Sequence, residues 1–261
     1  MRSKGHSSEL NIYTALQEVI ALSAISGAPG HVVHIQSTGN LTTPKLIEMI
    51  ADAKKRGVDV SCEVYPYTAG MTDIKSAIFD TGWQERTKIT YQNLQWVATG
   101  ERLTKETFDK YRKQGGKVIV HANPESLVRK VVSHPITMIA SDGFKGHPRN
   151  AGCFSRILGK YVRENQDLSL MLALKKCSYW PAKRLEKCAP AFRKKGRIKM
   201  GADADLIVFD AKTIIDKSTF TNAAQYSSGI KYTLVNGVAV VKNGKFQENI
   251  FPGKAARGQI R

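Results

Sequence analysis

Four short apolar runs, at residues 31–35, 58–67, 117–121 and 136–140, mark the first part of the chain, and segments of helical period lie between them. Strands alternating with helices in this way constrain the chain to a sheet of parallel strands joined by crossover helices. Ser7 is expected to cap a first helix with Leu10, Tyr13, Leu16 and Ile20 on one face and Gly27 at its end. Further helices are predicted over 44–56, 104–114 and 124–133. Residues 68–100 hold two of the three tryptophans, Trp83 and Trp96, but keep no period, which predicts an irregular insertion or lid.

The pattern changes in the last third. Two helical stretches, 154–164 and 169–186, are followed by short β runs at 196–209, 232–236 and 238–241. Asn236-Gly237 and Asn243-Gly244 are hairpin signals, because type I′ turns need positive φ. The expected division is therefore an α/β domain over 1–195 and a small antiparallel layer over 196–261.

Charge narrows the partners. Forty Lys and Arg against 22 Asp and Glu leave a formal charge of +18, yet the cations are spread along the chain and no nucleic-acid motif accompanies them. A specific nucleic-acid partner is not expected. No apolar run reaches the roughly 20 residues of a membrane span. Cys62, Cys153, Cys177 and Cys188 stand at no ligand-like spacing, which suits reduced thiols and a cytoplasmic protein.

The chemistry gathers after the 136–140 run, which ends in Ser141-Asp142-Gly143 and opens into a loop carrying Lys145, His147 and Arg149. A carboxylate at the C-terminal end of a strand occupies the place where α/β enzymes put catalytic groups, though Asp-Gly is also an ordinary turn. His147 and Arg149 suit a substrate carboxylate, for which Arg offers two-pronged donors, or brace the loop. Lys145 is a further cation. Glu63, Tyr65 and Tyr67 share one face of their run by its two-residue period.

The segments MRSKGHSSELNIYTALQEVIALSAISG, HVVHIQSTG, EVYPYTAGMT, IASDG, GHPRNAGCFSRILGKYVRE, KGRIKMGADADLIVFDA and FPGKAARGQIR run in order over nearly the whole chain. Together they resemble the C-terminal part of the N-acyl-D-amino-acid deacylases, within the metal-dependent amidohydrolase superfamily, and most of all the D-glutamate deacylases. The resemblance implies the second half of a (β/α)8 TIM-like barrel followed by part of a small antiparallel β-sandwich. It places His34 on strand five, Tyr65 on strand six, His121 on strand seven and Asp142 on strand eight. It further implies one or two zinc ions with His34 and Asp142 as ligands. Zinc would polarise the scissile carbonyl and acidify a bound water. Asp142 would be the catalytic base, and Tyr65, Lys145, His147 and Arg149 would bind a small N-acyl amino acid.

Two departures accompany it. Tyr65 stands where metal-binding members carry a second His, and the match begins at the family's fourth barrel strand. The His-x-His pair and metal-binding Cys of the family's first half have no counterpart here. The expectation is a truncated hydrolase of C–N amide bonds, whose open strand edge invites a homo-oligomer. The alternative is a non-catalytic fragment or interaction protein of the same fold.

Overall fold

Asn11 opens the first helix, α1 (Ile12–Ser26), by accepting the backbone N–H groups of Tyr13 and Thr14 on its side chain, and Gly27 ends it in the left-handed region. The computed structural model describes residues 11–258, so the expected Ser7 cap lies outside the described residues. After α1 come β1 (Gly30–Val32), α2 (Ile35–Gly39), α3 (Thr43–Lys55) and β2 (Val60–Val64). The chain bends at His34, whose φ of 35° cannot continue a strand, and this is why residues 33–35 leave the expected extended run. α3 buries Leu46, Ile47, Ile50 and Ala53, a helical stripe.

Residues 68–100 are not irregular. β3 (Ala69–Asp73), α4 (Trp83–Thr87) and β4 (Leu94–Trp96) lead through α5 (Lys105–Gln114) to β5 (Lys117–His121). β5 pairs antiparallel with both β3 and β4, so it is not the parallel strand expected for His121. Ile74, Phe79, Trp83, Leu94, Trp96, Leu103, Phe108, Tyr111 and Val118 form a core of their own. Aromatic side chains hide from a period search because each fills its space by shape. Trp96 stacks on Tyr111 with ring centres 4.1 Å apart and planes 4° from parallel. Its far side lies over Gly116, where φ is +137° and an added Cβ would stand 2.5 Å from the indole.

From β5 the chain passes α6 (Glu125–Ser133) to β6 (Thr137–Ile139). The parallel sheet has the order β1-β2-β6, with Gly30 opposite Val60 and Cys62 opposite Thr137. β6 therefore lies directly against β2, with no strand between them. Because all three strands run the same way, their C-terminal ends open on one edge.

Contact clustering divides the chain into two units. One runs to Asn150 and includes Thr219–Ala224; the other is Ala151–Ser218 with the chain from Gln225 onward. The helical segment after Asn150 is tied to its own unit. Arg156 pairs with Asp216 at 3.1 Å, and Arg163 donates to the Ile214 carbonyl. That segment is α7 (Arg149–Arg156) running into π-type turns over Ile157–Glu164. α8 (Leu170–Leu174) and α9 (Trp180–Leu185) follow. An antiparallel sheet of β7 (Leu206–Phe209), β8 (Ile230–Val235), β9 (Val238–Lys242) and β10 (Lys245–Phe246) completes this unit, in the order β10-β9-β8-β7. Its hairpin turns hold Asn236, Gly237, Asn243 and Gly244 at positive φ, as the Asn-Gly pairs require. Cys62, Cys153, Cys177 and Cys188 form no disulfide with one another. Among the described residues no helix is long and apolar enough to cross a membrane.

His147 fastens the loop after β6. It is fully buried; its Nε2–H donates to the Ala69 carbonyl at 3.0 Å, and its Nδ1 accepts the Arg149 backbone N–H at 3.1 Å. One nitrogen donating and the other accepting describes a neutral ring. Burial first, then the neighbouring Arg149 charge, pushes its pKa down to about 3.

Two outcomes follow from these contacts. Trp96→Ala should destabilise the first unit by about 3–5 kcal/mol, measured by denaturant unfolding. For His147, the unfolded chain takes up a proton below the ordinary histidine pKa while the folded chain does not. Stability should therefore fall by about 2 kcal/mol between pH 7 and pH 5. His147→Asn, which cannot take up that proton, should be weaker at pH 7 but lose less over the same range. His121, also depressed, to about 4, leaves a residual slope of the same sign.

Candidate functional site

The parallel register brings three sequence candidates to one edge. His34 lies two residues past β1, Tyr65 one residue past β2 and Asp142 three residues past β6. His34 is half-buried, with Nδ1 3.4 Å from the Thr38 hydroxyl. Asp142, like His34, has a left-handed backbone, with φ 45°. Its side chain is 35% exposed and its Oδ2 lies 2.9 Å from Arg149 Nη2.

Arg149 is the unusual member. It is 3% exposed, and its guanidinium carbon sits 4.5 Å from the centre of the Tyr65 ring. Nη2 is spent on Asp142, but Nε and Nη1 are buried without a hydrogen-bond partner. The Tyr65 hydroxyl beside them is likewise buried and unpartnered. Burial raises the Tyr65 pKa, and the Arg149 charge opposes that rise. Gly70 closes one side of the hydroxyl, since a Cβ there would stand 2.9 Å from Ser37 Oγ and 3.0 Å from Tyr65 Oη. Unsatisfied buried donors cost free energy of about 1–3 kcal/mol each, more on a charged group. A cluster of them is the mark of a place built for an acceptor.

The other candidates separate from this cluster. His147 packs its ring edge-on to Tyr67 and Phe220 with both its nitrogens engaged, the geometry of the loop brace that was one of its two expected roles. Lys145 is exposed on the loop. His121 points Nε2 at Gln95 Oε1, 2.9 Å away. His31 and Glu63 face each other across β1 and β2 at 3.1 Å, with Ser61 on the other ring nitrogen at 2.7 Å. Sequence reading did not foresee this pair. It also missed Ser37, which follows the strand end without any period or motif to mark it.

Zinc needs three or more protein ligands. Among the described residues no three His, Cys, Asp or Glu side chains gather as a metal-binding group, and Asp142 is paired with a cation. These residues do not fit a zinc ion by themselves.

The profile described as Amidohydrolase family matches residues 14–241. N-acyl-D-glutamate deacylase of Alcaligenes xylosoxydans xylosoxydans is 31% identical over 245 residues, covering 88% of this chain and 49% of that protein. D-aminoacylase of the same organism is 28% identical, covering 98% and 52%. The crystal structure of N-acyl-D-glutamate deacylase from Bordetella bronchiseptica, complexed with zinc and a phosphonate inhibitor, superposes with a TM-score of 0.73 at 27% identity over 94% of this chain and 52% of that one. The chain thus spans about half the length of the relatives it matches. A profile matched over most of the chain, and a fold shared with these deacylases, place this chain in the amidohydrolase family.

Proposed function

We propose that this chain takes part in the deacylation of N-acyl-D-amino acids, N-acyl-D-glutamate among them, and that Arg149 receives the substrate carboxylate. The observation that carries the reading is Arg149 itself, a buried guanidinium with two of its three nitrogens unpartnered, beside the equally unpartnered Tyr65 hydroxyl. A carboxylate satisfies those donors together, with charge-assisted hydrogen bonds stronger than neutral ones. Asp142 serves as the base that takes a proton from the attacking water and returns it to the leaving amine. Its partial exposure leaves it open to that water while Nη2 of Arg149 fixes its direction. His34 presents its imidazole on the same edge.

In the same reading, β1, β2 and β6 are strands of a (β/α)8 barrel, and β7 to β10 are part of a β-sandwich. A second reading, a binding protein of this fold without hydrolysis, is favoured by the lack of three gathered metal-ligating side chains among the described residues.

Calorimetric titration with N-acetyl-D-amino acids and their L-enantiomers tests the carboxylate assignment. The D-compounds should bind, and Arg149→Met should weaken them by about 30-fold or more, the loss typical of removing one partner of a buried charge pair. Equal binding by the variant would overturn the assignment. Release of free amine, followed with and without added zinc, then decides between hydrolysis and binding alone.

A further inference from the structure

Two consecutive residues of α2 flank Tyr65. Gln36 Nε2 donates to the Tyr65 carbonyl at 3.0 Å. Ser37 Oγ stands beside the Tyr65 hydroxyl, the two oxygens lying 2.9 and 3.0 Å from the point that a Gly70 Cβ would occupy. The backbone explains why a side chain is needed at that carbonyl. The Val64 carbonyl turns toward β6, where it accepts the Ala140 N–H, so the Tyr65 carbonyl turns the other way, toward β1. β1 pairs with β2 only as far as Val32 opposite Cys62, because the chain bends at His34. Gln36 supplies the donor that a longer β1 would have offered.

That bond accounts for the nitrogen of the Gln36 amide and leaves its oxygen over. Gln36 is fully buried, and its Oε1 has no hydrogen-bond partner. The amide cannot be turned over, since a carbonyl only accepts and Nε2 must face it. A brace for the end of β2 needs a donor alone, so the buried acceptor is unexplained by bracing. The same tyrosine carries the other unmet groups of this edge. Its hydroxyl is one, and Nε and Nη1 of Arg149, whose guanidinium lies over its ring, are two more. Around Tyr65, Arg149 and the hydroxyl offer donors, and Gln36 offers an acceptor. An N-acyl amino acid holds a carboxylate and an amide N–H on one carbon, which is the complement of that set.

We infer that Gln36 Oε1 accepts the amide N–H of the N-acyl amino acid and so sets a preference for amides over the matching esters. This deepens the proposed function and rests on its assignment of the carboxylate to Arg149. An ester oxygen in place of N–H turns a lone pair toward Oε1 and leaves it unmet, and an N-methyl group puts a carbon there. In the proposed hydrolysis, an N–H held by Gln36 leaves the other side of the nitrogen open to the proton that Asp142 returns. Gln36 itself neither gains nor loses a proton.

Calorimetric titration of the full chain with N-acetyl-D-alanine, its N-methyl derivative and O-acetyl-D-lactate, the ester of the same shape, separates the possibilities. N-acetyl-D-alanine should bind at least about 10-fold tighter than either of the others. Gln36→Met, of similar length, should cut its advantage over the ester to less than about 3-fold. Arg149→Met should weaken amide and ester alike. Equal binding of amide and ester by the native chain, or a preference that survives Gln36→Met, would overturn the inference. The carboxylate assignment would still stand if both compounds weaken with Arg149→Met. Should Gln36→Met fail to fold, the native chain decides by magnetic resonance: the amide should shift the Gln36 side-chain NH2 signals further than the ester does, and equal shifts count against the inference. If neither compound binds, the carboxylate assignment fails, and N-methylacetamide, with one N–H and no carboxylate, tests Gln36 by itself. It should shift the same signals where methyl acetate does not, and no shift would sink the role of Gln36 independently of Arg149.

Discussion

A guanidinium kept almost entirely from water is the constraint around which the first unit's open edge is built. Arg cannot shed its proton, so burial of Arg149 must be compensated by groups that come to it. Asp142 supplies one ion pair and the Tyr65 ring supplies a face for the cation. Neither reaches Nε or Nη1. Breaking such a pair leaves a charge stranded in the interior, which is why the loop between Asp142 and Arg149 has to return on itself. His147 secures that return by bonding the loop to Ala69 on one side and to the Arg149 backbone on the other.

The meeting of Tyr65 with Arg149 and Asp142 depends in turn on the pairing of β2 with β6. Between those strands the chain makes an excursion through β3, β4 and β5. The antiparallel pairing of β3 with β5 sets Ala69 opposite His121, so the excursion leaves and returns at one place. Its aromatic core gives it the means to close without help from the parallel sheet. The Ala69 carbonyl that terminates this sheet is also the acceptor for His147, so the insertion and the loop after β6 share a fastening point.

Much of this was legible in the residues. The helices over 43–55, 105–114 and 125–133 follow apolar stripes that are local, the second with a Thr104 cap, and the Asn-Gly hairpins follow from φ alone. Asp142 and Arg149 stood out because a strand ends in a carboxylate and a basic loop follows. What failed to show was anything set by partners distant in sequence. The direction of β5 depends on which strands flank it, and a run such as KVIVH reads the same in either. The unit boundary at Asn150 depends on Arg156 finding Asp216, sixty residues on. His147 read equally as a substrate group or a loop brace, because the partners of its two nitrogens, Ala69 and the Arg149 backbone, show only in the folded chain.

The same reasoning separates residues that hold the site from residues that read a ligand. A side chain whose donors and acceptors are all satisfied, as in His147, is already in its lowest-energy partnership and gains nothing from an incoming molecule. A buried group left short, as in Arg149, Tyr65 and Asn123, gains the whole of the interaction it lacks. The chemistry of what is missing differs between them. Arg149 and Tyr65 lack acceptors, whereas Asn123 lacks a donor for its oxygen. In the proposed reading, an N-acyl amino acid brings the carboxylate that Arg149 and Tyr65 lack.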